Sequence, residues 1–251
     1  MRGLWAGIAG ICFGVWSLSA NAQPQWAVDQ VYTGNIELGG VQAPLPPGEW
    51  KVTGFERSIT KSGWGNMTVA LAQLRGTLVP AYIVLVYNEQ SVRMGWNAAD
   101  EKQCARREIH HAKVVRAAQL DKACQYVNHI VFSVSSGSAK WWKDTIDYAR
   151  KHNAKIPMAA IQGGIVTSDR ANFLSMAYHF NPEAEGFGPP QNTAWQTSDW
   201  NVLNVAGDQK KQAYVQAVID WTEQSRPVLE AGLAGKLKKG EGLNWPSYRR
   251  E

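Results

Sequence analysis

Histidine and cysteine are scarce in this sequence, five and three of 251 residues, and the motifs that would put them to work are missing. There is no G-x-S-x-G elbow, no H-E-x-x-H helix, no glycine-rich phosphate loop, no ligand-spaced carboxylate cluster and no haem-attachment pair. These absences remove the commonest hydrolase, zinc-protease and nucleotide-binding readings, and no cofactor is expected. Concentrated positive charge is missing too: the formal net charge is +5, with no Lys/Arg-rich run interleaved with aromatics, which argues against a nucleic-acid partner. Past the N-terminus the longest apolar run, Leu78 to Tyr87, is too short to cross a bilayer, which needs about 20 residues.

What is present begins at the N-terminus. Arg2 supplies a positive start, Leu4 to Leu18 is apolar and uncharged, and Ala20-Asn-Ala22 is the small-x-small pattern that signal peptidase accepts. The sequence therefore predicts a signal peptide over residues 1–22 and an exported product, periplasmic or extracellular. A lipoprotein is not expected, because Ile11 precedes Cys12 where a small residue is needed. Without its first 22 residues the chain is 229 residues long and keeps 25 of its 26 basic side chains against 21 acidic ones, a net +4. That length suits one large domain, and no transmembrane segment is expected after cleavage.

The element around which the rest is arranged lies between Tyr126 and Pro182. Ile130, Phe132 and Val134 alternate with His129, Val131 and Ser133, a strand pattern. Trp142, Ile146 and Ala149 then recur at helical spacing within 139–152, and Leu174, Met176, Tyr178 and Phe180 alternate again. Upstream, residues 23–48 end in Pro44-Leu-Pro-Pro-Gly48 and read as an extended arm. Strands are expected at Glu49–Glu56, Met67–Leu74 and Leu78–Tyr87, the last two joined by a tight turn at Arg75-Gly76. The third is apolar on both parities, so cover is expected on both faces of its sheet. Between Asn97 and Gln125, Ala98–Arg107 and Ala112–Leu120 read weakly as short helices. Asp208 caps a helix with Tyr214, Ala217, Val218 and Trp221 on its stripe, and Pro227 should break it, leaving a second short helix to Lys239. Residues 240–251 read as a loose tail. The fold predicted is a single α+β domain over 49–239, a mainly antiparallel sheet of five to seven strands with helices packed on it.

Twelve tryptophans invite thoughts of ligand stacking, but ten are scattered along the mature chain and read first as rings pinning loops to a core. Cys104 and Cys124 are an even pair in an exported chain, so a disulfide is expected. A loop of about 20 residues is worth roughly 3 kcal/mol. The rival is a metal site of Cys104, His110 or His111, Cys124 and His129, the donor set structural zinc takes, though at spacings that match no finger. Ser58-Ile-Thr-Lys61 has the S-x-x-K form of penicillin-recognising enzymes and Lys61-Ser-Gly63 approximates their K-T-G triad, but here the two share one lysine and the match reads as chance.

One further constellation is worth testing. His129 and Ser133 share a strand parity, as do Ser175 and His179, each opposite its strand's apolar row. Neighbouring strands would bring these four together as a ligand-binding patch with two imidazoles. The sequence reading is thus an exported, non-catalytic protein that binds a small ligand or an envelope partner; the alternative is a secreted hydrolase with its site assembled from distant loops.

Overall fold

A two-residue turn folds the middle of the chain back on itself. Gly65–Arg75 pairs antiparallel with Leu78–Asn88, and Gly76 sits in the turn at φ +58°, a left-handed conformation that favours glycine. The computed structural model describes residues 26–60, 63–90, 101–118, 120–132, 138–238 and 240–248. In chain order the strands are β1 (Val31–Tyr32), β2 (Asn35–Leu38), β3 (Val41–Pro44), β4 (Trp50–Ile59), β5 (Gly65–Arg75), β6 (Leu78–Asn88), β7 (His111–Ala118), β8 (Asp121–Val131), β9 (Ala159–Ser168) and β10 (Phe173–Phe180). The helices are α1 (Glu101–Cys104), α2 (Lys140–Lys151), α3 (Val202–Ala206) and α4 (Gln209–Leu233).

Eight strands form one antiparallel sheet in the order β1-β4-β5-β6-β10-β9-β8-β7, and β2 and β3 form a separate hairpin. The sheet is thus wider than the five to seven strands expected, and the domain is dominated by sheet. Both faces are covered, as the doubly apolar β6 requires. On one face Ile83, Leu85, Ile161, Ile165, Leu174 and Met176 are sealed beneath α4 and the β2–β3 hairpin. Tyr178 donates from its hydroxyl to the Pro44 carbonyl at 3.0 Å, tying hairpin to sheet. Two glycines allow close approach on this side: a Cβ at Gly163 would lie 2.5 Å from Thr222 Oγ1, and one at Gly232 would lie 2.2 Å from the Gln42 carbonyl oxygen.

The other face carries two smaller covers. Helix α2 packs on β4 and β5, its start resting on Gly54, where a Cβ would meet the Trp141 carbonyl. Glu56 caps that start, accepting from Lys140 N at 2.8 Å. The second cover is the excursion through α1, which buries Cys104 and Ile109 against Cys124, Tyr126, Val166 and Phe173.

Several expectations are corrected here. Within the segment expected as an extended arm over 23–48, residues 35–44 instead form a hairpin: β2 and β3 hydrogen-bond to each other and bury Ile36, Leu38, Val41 and Ala43 in the main core. Ala112–Leu120 is not a helix: β7 pairs with β8, which satisfies its backbone where local periodicity was too weak to do so. Pro227 lies inside a continuous α4; proline removes one intrahelical bond, and the helix is held by Trp221, Leu229 and Leu233 in the core. The segment after Gly240 is not loose throughout, since Leu243 is buried and Trp245 packs against Trp50 and Phe180. Strand β9 was not expected at all. Among the described residues no helix is long and apolar enough to cross a membrane.

Candidate functional site: a cleft on the second face of the sheet

The four residues expected to share a patch do not. In the β8–β9–β10 register His129 stands opposite Ile161, and Ile161 opposite Phe180. His129 therefore points into the α4 face. His179 stands opposite Gln162 and Tyr82, one residue out of phase, and points to the face carrying α2. A single step along a strand reverses the face, so the two imidazoles are divided by the sheet and the predicted patch does not exist. Ser175 shares the face of His179 but lies on the row of Val86, Val166 and Cys124, beside the disulfide. Ser133 lies outside the described residues.

His129 is a fastening. Its Nε2 hydrogen-bonds the Trp195 carbonyl at 2.8 Å, and its ring stacks on the Trp195 indole at 4.8 Å, with the Arg106 guanidinium 4.6 Å from that indole. His110 does the same nearby, reaching the Trp200 carbonyl at 2.9 Å. Burial lowers the pKa of both, that of His110 to about 4. Together they pin the irregular segment that includes Trp195 and Trp200. The metal alternative fails at its sulfurs, because Cys104 and Cys124 form a disulfide with Cα atoms 6.2 Å apart. Among the described residues no group of three His, Cys, Asp or Glu side chains could hold a metal ion.

The opposite face is different. Asn128, Gln162, His179 and Tyr82 stand directly opposite one another across β8, β9, β10 and β6, a polar row spanning four strands. It runs between the two apolar covers of that face. Gln162 Nε2 donates to His179 Nε2 at 3.1 Å, which leaves the proton of the neutral ring on Nδ1. The His179 ring lies flat on Tyr82, and Phe132 and Trp142 close over the pair, each with its centroid between 5.2 and 6.1 Å from its aromatic neighbour in the Tyr82–Phe132–Trp142 triangle.

Three of the four members have an unmet polar atom: Asn128 Oδ1, His179 Nδ1 and the Tyr82 hydroxyl make no hydrogen bond, although the residues are only 1%, 4% and 3% exposed. Carbonyls of Tyr82 and Ala177 lie near the imidazole without completing a bond to Nδ1. Such atoms are uncommon in folded proteins and cost about 1–3 kcal/mol each. Burial drives the His179 pKa down to about 3 and pushes the Tyr82 phenol well above 10, so both are neutral over the ordinary pH range.

Above this row opens a depression of about 310 Å³ lined by Tyr82, Val84, Ile130, Phe132, Trp142 and His179, with Trp141 and Ser138 at its rim. Among the described residues no lining side chain is charged. A second hollow of about 300 Å³ continues on the far side of Phe132 and Trp142, walled by Ile146, Ile156 and Pro157. In the next row Gly164 and Ala177 stand opposite each other, and the Tyr126 ring lies across Gly164 so closely that a Cβ there would be 2.1 Å from Cζ.

Of the expected residues only His179 belongs to this cleft. Tyr82 and Trp142, which line it, were missed, as were Asn128 and Gln162, which continue the polar row from His179. Gln162 was the available signal, a polar residue set in the apolar run Ala159-Ala-Ile-Gln-Gly-Gly-Ile-Val166. The chain matches no family model, no curated protein and no solved structure.

Proposed function

We propose that the protein is an exported, non-catalytic binding protein whose binding site is the cleft beside the start of α2. One observation carries the reading: His179 and Tyr82, each with an unmet hydrogen-bonding atom, line an open, aromatic-walled depression. Ligand sites combine apolar and aromatic walls with a few convergent polar groups and begin at about 300 Å³. Export is supported by the charged start, short apolar run and Ala20-Asn-Ala22 at the N-terminus, and by the Cys104–Cys124 disulfide, a bond that persists in oxidising compartments.

The hydrolase alternative finds less support. Among the described residues, the hydrogen bonds of His110, His129 and His179 go to a backbone carbonyl or an amide side chain; none brings an imidazole to a hydroxyl or thiol, as nucleophile activation requires. Ligand-observed NMR with a fragment library decides the matter against a Val84→Trp variant, whose indole fills the depression from its floor. Fragments that bind the wild type and are lost in the variant are expected. An identical set of hits for both proteins, or none for either, overturns the proposal.

A further inference from the structure

The lining of the cleft also restricts what can occupy it. Its walls are ring faces, Phe132 and Trp142 5.2 Å apart with Trp141 5.9 Å from Trp142, and they offer flat apolar area to a planar molecule. Among the described residues the depression has no Asp, Glu, Lys or Arg in its lining, so an ion entering it would lose hydration without gaining a partner there. Its lining supplies both hydrogen-bonding senses from neutral groups: His179 Nδ1 donates, and the Tyr82 hydroxyl donates or accepts. Because these atoms are already buried and unpaired, a ligand edge that reaches them gains bonds for which no hydrogen bond within the protein must be given up. A purely apolar ligand leaves them unmet.

We infer that the cleft takes a small, uncharged, planar ring compound with a hydrogen-bonding edge, stacked against its aromatic walls and recognised by His179 and Tyr82. This rests on the cleft being the binding site, and the experiment separates the two claims. Four probes share one ring system: 2-naphthol, naphthalene, 2-naphthoate as the anion and 2-(aminomethyl)naphthalene as the cation. Each is titrated into the full chain at neutral pH, with the tryptophan fluorescence of the cleft as readout and Val84→Trp as the blocked control.

The expected order is 2-naphthol tightest, naphthalene weaker by roughly three- to tenfold, the worth of one neutral hydrogen bond, and both ions weaker still. Tyr82→Phe keeps the ring and removes only the hydroxyl, so it should lower 2-naphthol affinity towards that of naphthalene and leave naphthalene unchanged. Should that variant fail to fold, His179→Phe supplies the same comparison, keeping a flat ring against Tyr82 and removing the Nδ1 donor. If an ionic probe binds best, or naphthalene equals 2-naphthol, while Val84→Trp still blocks binding, the ligand class is overturned and the cleft stands. If no probe binds, or Val84→Trp leaves binding unaltered, both claims fall.

Discussion

The imidazole of His179 lies flat on the phenol ring of Tyr82, with centroids 4.0 Å apart and planes 7° from parallel. Two strands hold the pair face to face, since His179 and Tyr82 are direct partners in the β10–β6 register. The stack is buried from both sides, and that burial sets its chemistry.

The pH dependence of stability follows from it. Burial holds the His179 pKa at about 3 in the folded chain, against about 6.5 when unfolded. The unfolded state therefore binds the proton first, and stability present above pH 6.5 is lost as the pH falls towards 3. His110 and His129, also lowered by burial, act in the same direction. Urea melts between pH 7 and pH 4 should show falling stability, and His179→Gln should flatten the fall. An unchanged slope in that variant would show that His179 titrates normally.

Removing the disulfide should cost roughly 3 kcal/mol, the loop-entropy value for about 20 residues. The covalent link also fixes the excursion carrying Arg106, which stacks over Trp195 on the far side of the sheet from the cleft. Denaturant melts with and without reductant, alongside Cys104→Ser/Cys124→Ser, measure the difference. A loss below 1 kcal/mol would mean that the excursion is held by Ile109, Tyr126 and Phe173 alone.

How far the sequence could be read is clearest in β8 and β10. Alternation correctly marked both as strands, the spacing of Trp142, Ile146 and Ala149 marked α2, and the cysteine count marked the disulfide. What alternation cannot supply is which parity faces which cover when a sheet is covered on both sides. The apolar row of β10, Leu174 to Phe180, faces α4, yet the apolar row of β8, Ile130 and Phe132, faces α2. Pairing the two rows by hydrophobicity alone therefore placed His129 and His179 together when the sheet separates them. Strand β9 carries Gly163-Gly164, which breaks the side-chain alternation; one glycine admits Thr222 from α4 and the other the Tyr126 ring of the neighbouring β8. The cleft depends on that strand, so it was not legible.

The same face assignment changes the expected cost of truncation. Leu85→Ala and Met176→Ala remove fully buried side chains from the main core and should destabilise by about 2–5 kcal/mol. Phe132 is only partly buried and walls the cleft, so Phe132→Ala should cost less than either while weakening ring-probe binding. Chemical denaturation and probe titration on the same three variants check both halves. A Phe132 penalty exceeding that of Leu85 would return this ring to the core.

Gly164 and Tyr126 should prove strongly coupled. Glycine in a strand normally weakens it, and alanine there would be expected to gain about 0.5–1 kcal/mol. At Gly164 the new methyl would meet the Tyr126 ring, with Cζ at 2.1 Å and Cε1 at 2.4 Å. The ring must then swing away from the disulfide-side cover it buries, and overpacking of this kind costs typically about 1–3 kcal/mol. Gly164→Ala should thus destabilise the wild type. With Tyr126→Ala in the background the obstruction is gone, and the same substitution should be neutral or stabilising. A double-mutant cycle in urea reports the interaction directly. Additive effects would show that Tyr126 does not lie on Gly164.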